Sequence, residues 1–269
     1  MNKKIKVFVL LIFASLIVGC KKEYTKEEII ESTKNEVAKE IETTKMIEVK
    51  EESKETEKET EKETETKKQR KESVKLDVKN IQQLPEYRSG CEITSTTIVL
   101  NYLGYDISKT ELAKYLPITD FYAENGVYYS GNPYIEFCGT LENGYGCYAG
   151  AIRKTLINYF TDIKERRSII NLTGSSPGVL YNNVSEGRPV IVWVTISMVQ
   201  PAEGTHWIIK DTGKEFVWTK HEHCVVLIGY TKDTVILSDP YDQRGEVEYS
   251  KELFEERYRQ MFSQAIVIK

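Results

Sequence analysis

Two kinds of segment are missing from this chain of 269 residues. No basic block stands out in its second part and the formal net charge is −4, so the electrostatic footprint of nucleic-acid binding is absent. Past the first twenty residues no run approaches the ~20 consecutive apolar residues that a membrane-spanning helix needs. A third scarcity is local. Residues 21–77 hold a single aromatic, Tyr24, and their 15 Lys or Arg plus 18 Asp or Glu make 33 of 57 positions charged. Such a segment cannot bury enough apolar surface to offset its ordering entropy, which excludes a packed core there. The Lys-Glu-Thr-Glu repeat running from Glu55 to Glu65 gives alternating charge without a core face. Residues 21–77 therefore read as a solvated tether.

What is present begins with an export signal over residues 1–20. Lys3, Lys4 and Lys6 precede the apolar run Val7 to Val18, which is too short to span a bilayer as a mature helix, and Gly19-Cys20-Lys21-Lys22 follows. A small residue directly before a cysteine resembles a bacterial lipoprotein signal, with Ile17 where leucine is more usual. The resemblance implies lipidation (palmitate) of Cys20, which becomes the mature N-terminus, and an anchor on the extracytoplasmic face of a bacterial cell membrane. Residues 78–269 are globular in composition, holding 25 of the 28 aromatics, enough for one core and one domain. A monomer is expected.

Helical signals come first in this domain. Cys91 follows Gly90 and opens the stretch Glu92 to Leu103, stopped by Gly104; Ser108 with Glu111 caps a second helix ending before Pro117. Asp120 to Gly146 has little periodicity and reads as a long ordered loop, its aromatics taken as core cover. Helices are expected over Ala149–Tyr159, Pro177–Glu186 and Ser250–Met261. Strands are expected over Val190–Ile196, Cys224–Tyr230, Thr234–Ser238 and Ala265–Ile268, with a short one at Phe216–Thr219. Helices first and antiparallel strands afterwards is an α+β order.

Besides Cys20 there are four cysteines. Cys138 and Cys147 flank a glycine-rich loop that could bring them into a disulfide, Cys224 sits in an apolar strand as a small buried hydrophobe, and Cys91 is set apart as a nucleophile. A helix N-terminus and a nearby imidazolium both favour the thiolate. If Thr231-Lys232-Asp233 is a three-residue hairpin loop, paired residue numbers sum to 464 and Val225 faces Asp239. His223 then shares a face with Asp239, a diagonal neighbour within side-chain reach. A two-residue loop would reverse the parity. Asp242 is the rival carboxylate. Gln83, with Gln82 adjacent, is the candidate oxyanion donor beside the Cys91 amide. A zinc site built from His221, His223 and Cys224 would need Cys91 or Asp239 to complete it, so no metal and no other cofactor is expected. His206-Trp207 reads as a surface or groove-lining pair in a polar loop.

The segments Gln83-Leu84-Pro85-Glu86, Gly90-Cys91-Glu92-Ile93-Thr94-Ser95 and Leu100-Asn101-Tyr102-Leu103-Gly104-Tyr105 resemble the opening of the C39-like peptidase family of bacterial cell-surface proteins. Phe137-Cys138-Gly139, Gly144-Tyr145-Gly146-Cys147-Tyr148, Gly187-Arg188-Pro189-Val190, Glu222-His223-Cys224 through Tyr230, and Ser238-Asp239-Pro240 follow in that family's order. Cys224 stands where the family more often has alanine. The resemblance implies a papain-like fold with the helix of Cys91 packed on a C-terminal antiparallel sheet. It also implies a Cys91-His223-Asp239 triad, and an oxyanion hole assisted by Gln83. The function expected is a membrane-anchored cysteine peptidase or amide hydrolase acting on peptide or protein, cell-wall peptide included. The alternative is a papain-fold surface binding or adhesion module with an idle triad.

Overall fold

The computed structural model describes residues 71–269. The signal, Cys20 and most of the tether lie outside the described residues. The chain order is β1 (Val74–Lys75), α1 (Cys91–Tyr102), α2 (Lys109–Leu112), β2 (Ile118–Thr119), β3 (Tyr122–Glu124), β4 (Val127–Ser130), β5 (Phe137–Cys138), α3 (Ala149–Asp162), β6 (Ile169–Asn171) and α4 (Pro177–Ser185). Then come β7 (Val190–Thr195), β8 (Ala202–Ile209), β9 (Glu215–Lys220), β10 (Glu222–Tyr230), β11 (Thr234–Ser238), β12 (Glu246–Ser250), α5 (Lys251–Gln260) and β13 (Ala265–Ile268).

The main sheet runs β12-β11-β10-β7-β13-β6, antiparallel throughout, with β1 joining β10. Period-2 alternation gives each central strand two apolar faces. Ile191, Trp193, Cys224, Val226, Ile266 and Ile268 pack with α1 and α3. Val190, Val192, Val194, Val225, Leu227 and Val267 pack on the other side with α4 and α5. Helices therefore cover both faces, which is why β7, β10 and β13 are near-continuous apolar runs.

The unbroken burial of α1 from Cys91 to Leu100 is unusual for a helix so rich in hydroxyls. Thr94, Thr96 and Thr97 donate to the carbonyls four residues back, and Ser95 Oγ donates to the Cys224 carbonyl at 2.9 Å. Each buried hydroxyl thus has an acceptor. One left unpaired would cost about 1–3 kcal/mol.

Four readings need correcting. The folded part starts before residue 78: Val74 and Lys75 pair with Tyr230 and Gly229, and Tyr230 Oη donates to the Lys71 carbonyl. Asp120 to Gly146 is a loop only in part, because β3 and β4 form a hairpin that continues through β8 and β9 into a four-stranded sheet, and β5 pairs with β2. Its two-residue turn is Asn125-Gly126, with φ of 50° and 80°, the left-handed pair that an Asn-Gly hairpin uses. His206-Trp207 belongs to strand β8, not a polar loop: His206 stands exposed between Glu203 and Glu215, while Trp207 is buried and donates Nε1 to the Gly131 carbonyl. Cys138 and Cys147, considered for a disulfide, are both free thiols.

Candidate active site

The β10–β11 hairpin decides which groups meet. Near its turn Tyr230 pairs with Val235 and Gly229 with Ile236, and Thr231 N donates to the Thr234 carbonyl. This is the tight loop whose parity would separate His223 from Asp239. A bulge at Ile228 inserts one residue, and beyond it Leu227 pairs with Leu237 and Val226 with Ser238. The sum of 464 is restored on the site side of the bulge, by a device the sequence reading did not include. His223 Nε2 and Asp239 Oδ1 consequently lie 2.7 Å apart, both side chains almost wholly buried.

Asp239 ends β11 and is fixed from several directions. Its Oδ1 also accepts the Tyr241 and Asp242 amides, at 2.8 and 3.2 Å, an Asx-type turn that the following Pro240 supports. Asn80 Nδ2 donates to Ser238 Oγ and to the carbonyls of Asp239 and Gly245, each at 2.9 Å. Burial alone would raise the Asp239 carboxyl, but the His223 ring and the two amides outweigh it and hold it below its ordinary value. An ionised Asp239 makes Nε2 the protonated nitrogen of His223 and leaves Nδ1 as the base. The rival Asp242 is engaged by the Arg244 guanidinium at 2.9 and 2.7 Å, which takes its carboxyl down to about 2.

Gln83 and Gln82 have different surroundings. Gln82 Nε2 is spent on Asn80 Oδ1 and the Asp242 carbonyl. Gln83 is buried, its amide N–H bonded to the Pro240 carbonyl at 2.7 Å and its Nε2 to the Arg88 carbonyl at 2.8 Å. Nε2 carries two hydrogens, so one is free after that bond. Lys109 Nζ holds this turn by bonding to the carbonyls of Gln82 and Gln83 and pairing with Glu86.

Cys91 is the first residue of α1, where backbone amides have no partner within the helix. Gly90 before it is obligatory, since a Cβ there would lie 2.5 Å from Tyr87 Cβ. The thiol itself is bonded to a group other than the expected base. Sγ donates to Glu92 Oε2 at 3.2 Å, and no Cys91–His223 hydrogen bond is present among the described residues. Burial first, then the nearby Glu92 and Glu222, push the thiol well above its ordinary value. That is the reverse of the thiolate-favouring setting expected from the helix start. The structure thus brings Gln83, His223 and Asp239 into one linked group. Cys91 lies beside Cys224 and Glu222, with its sulfur hydrogen-bonded to Glu92.

Sequence reasoning missed Glu92 and Glu222. Each is buried and adjoins a candidate catalytic residue. The available signal was alternation: Glu222 shares its face of β10 with Cys224, and that face meets α1. His221, expected on the face of His223, has φ of 65° and is an exposed turn residue, so it does not continue that strand face. Cys224 is fully buried beneath α1.

The chain belongs to the Peptidase_C39 like family, whose model matches residues 75–266. It is 31% identical over 192 residues to the uncharacterized protein YvpB of Bacillus subtilis (strain 168), covering 71% of this chain and 73% of that one. It also resembles a crystal structure from Bacillus anthracis assigned as a C39-like peptidase, with 35% identity, a TM-score of 0.65, and coverage of 74% of this chain and 98% of the other. Family and fold together place the protein among the C39-like peptidases and support a peptidase role in general terms.

Proposed function

We propose that the protein is a cysteine peptidase held at the extracytoplasmic face of a bacterial membrane through lipidated Cys20, acting on peptide or protein substrates. The observation that carries the reading is the buried 2.7 Å contact between His223 and Asp239 next to the start of α1. In this mechanism the Cys91 thiol turns to His223 Nδ1 and gives up its proton. The sulfur attacks the amide carbonyl, and the Cys91 amide and Gln83 Nε2 hold the oxyanion. Imidazolium His223 protonates the leaving amine, and water then hydrolyses the thioester with His223 as base. A recess of about 300 Å³ that includes Tyr87 of the Gln83–Cys91 turn has a mixed lining, with Ala113, Ile118 and Leu141 beside Thr110, Lys114, Thr140 and Glu142.

A second reading, a surface binding module with an idle site, is favoured by one observation: the Cys91 thiol is hydrogen-bonded to Glu92 and not to His223, where burial and the two carboxyls disfavour its thiolate. Labelling by a peptide-like thiol probe separates the two. Labelling that requires both Cys91 and His223 supports the peptidase, and a probe that ignores His223 supports the binding module. The anchor is tested separately: Cys20→Ala should abolish incorporation of a labelled fatty acid, and unchanged incorporation would remove it from the reading.

A further inference from the structure

The most demanding polar group among the described residues is unused by the mechanism above. Glu92 and Glu222 are two carboxyl groups buried at the same place, and one oxygen of each and Cys91 Sγ all lie within 4.8 Å of one another. Glu92 is well served: Oε1 accepts the Cys147 amide at 2.6 Å, and Oε2 accepts the Cys91 thiol at 3.2 Å. Glu222 is not, since its Oε1 has no partner. Gly146 leaves them room, because a Cβ on it would sit 2.6 Å from Glu92 Oε1 and 3.2 Å from Glu222 Oε2. Its φ of +138° is also one that side chains rarely adopt.

Two ionised carboxylates this close and out of water repel strongly, and such pairs hold one proton between them. The distribution of partners says which keeps it. Glu92 receives two donors, which favour its anion, whereas Glu222 receives none. Burial raises both groups, and Glu222 is raised further by Glu92. The other titratable groups around the pair are Cys91 on α1, Cys224 and His223 on β10, and Cys147 and Tyr148 ahead of α3. Among these only His223 can supply a positive charge.

We propose that Glu92 and Glu222 form a proton-sharing carboxyl pair that holds the Cys91 nucleophile in a parked, protonated state, hydrogen-bonded to Glu92 in place of His223. Glu92 is the positioning residue, accepting the thiol hydrogen, and Glu222 keeps the shared proton so that the pair carries one negative charge. Leaving the parked state breaks the Sγ–H···Oε2 bond and presents the same thiol proton to His223 Nδ1, so no proton is gained or lost in the turn. The pair thereby keeps the thiol protonated until a substrate draws it over. This inference rests on the peptidase reading for the role of His223, but the pair can be tested without any substrate.

The rate of alkylation of Cys91 by iodoacetamide, followed by intact mass across pH, reads the parked state in the full chain. Glu92→Gln removes the negative charge and should speed alkylation at pH 7 by about tenfold or more, moving the profile to lower pH. Glu222→Gln leaves Glu92 ionised and should leave the rate within about twofold. An unchanged profile in Glu92→Gln would overturn the proposal. Infrared spectra of the unaltered protein provide a readout that does not depend on a variant folding. One protonated buried carboxyl should be visible at neutral pH and should disappear in Glu222→Gln. Absence of that band, or a stoichiometric divalent metal lost in Glu222→Gln, would also overturn it. A response to Glu92→Gln with no effect of His223→Ala on probe labelling would leave the pair standing and remove the peptidase reading instead.

Discussion

Oδ1 of Asp239 accepts three hydrogen bonds, from the His223 ring and from two backbone amides. That concentration of donors keeps a buried carboxylate ionised and fixes the imidazole tautomer by geometry alone. At the scale of single residues the kinetic expectations follow. With a cleavable substrate, Cys91→Ala and His223→Ala should abolish turnover while leaving the fold intact. Asp239→Asn should lower the rate by releasing the tautomer. Gln83→Ala should lower kcat by about 10²–10³ with a smaller effect on KM, the signature of an interaction made chiefly in the transition state. Full activity in Cys91→Ala would exclude the thiol mechanism.

Among elements, the β10–β11 hairpin is the one on which the site depends. Its turn has two-residue parity, and the bulge at Ile228 reverses that parity before the strand reaches His223. Gly229 beside the bulge is required by β1, since a Cβ there would meet the Val74 carbonyl at 2.7 Å. Deleting Ile228 should close the bulge while keeping Leu227 opposite Leu237 and Val226 opposite Ser238, so His223 and Asp239 should stay on one face. It should also cost about 2–5 kcal/mol from the lost core side chain. Deleting Leu227 as well would put Val226 opposite Leu237 and Cys224 opposite Asp239, sending His223 to the other face. The measurement is probe labelling of Cys91 at a temperature where both variants are folded, and it should persist in the first and fail in the second. Equal labelling would show that the strand pairing does not set the site.

At the scale of the whole molecule, stability should depend on pH through two buried acids of opposite sign. Asp239 is held below its ordinary value, so its contribution is complete above the unfolded value near 3.9 and is lost as pH falls through that value and the folded one. Glu222 is raised: the folded protein keeps its proton after the unfolded chain has released it near 4.3. Stability therefore declines as pH rises from there toward the folded value. Glu222→Gln should flatten that decline, and thermal melts at pH 4 and pH 7 would show it as a smaller difference than in the unaltered protein. Truncation gives a second global test. A chain beginning at Val78 lacks the β1 pairing and the Val74 and Leu76 contacts, and should melt several degrees below one beginning at Lys71. Equal melting temperatures would show that β1 contributes nothing to the fold.

The sequence by itself determined what depends on local pattern. The hydroxyl-rich helix after Cys91, the Ser108 capping box, the apolar strands flanking residue 232 and the C39-like motifs are all readable in single segments. It also named His223 and Asp239 as partners, although through a loop length that the hairpin does not have. Strand β12 was equally legible, since Glu246-Val247-Glu248-Tyr249 alternates polar with apolar, and so was the Asn125-Gly126 turn. Three things were decided only by the tertiary structure, because each depends on groups far apart in the chain. A bulge is set by how β10 fits between β7, β11 and β1, which no spacing within the strand specifies. The meeting of Glu92 with Glu222 requires α1 to lie on the even-numbered face of β10. The Cys91 thiol, bonded to Glu92, lies in the same buried cluster as Glu222, which neither segment reveals alone.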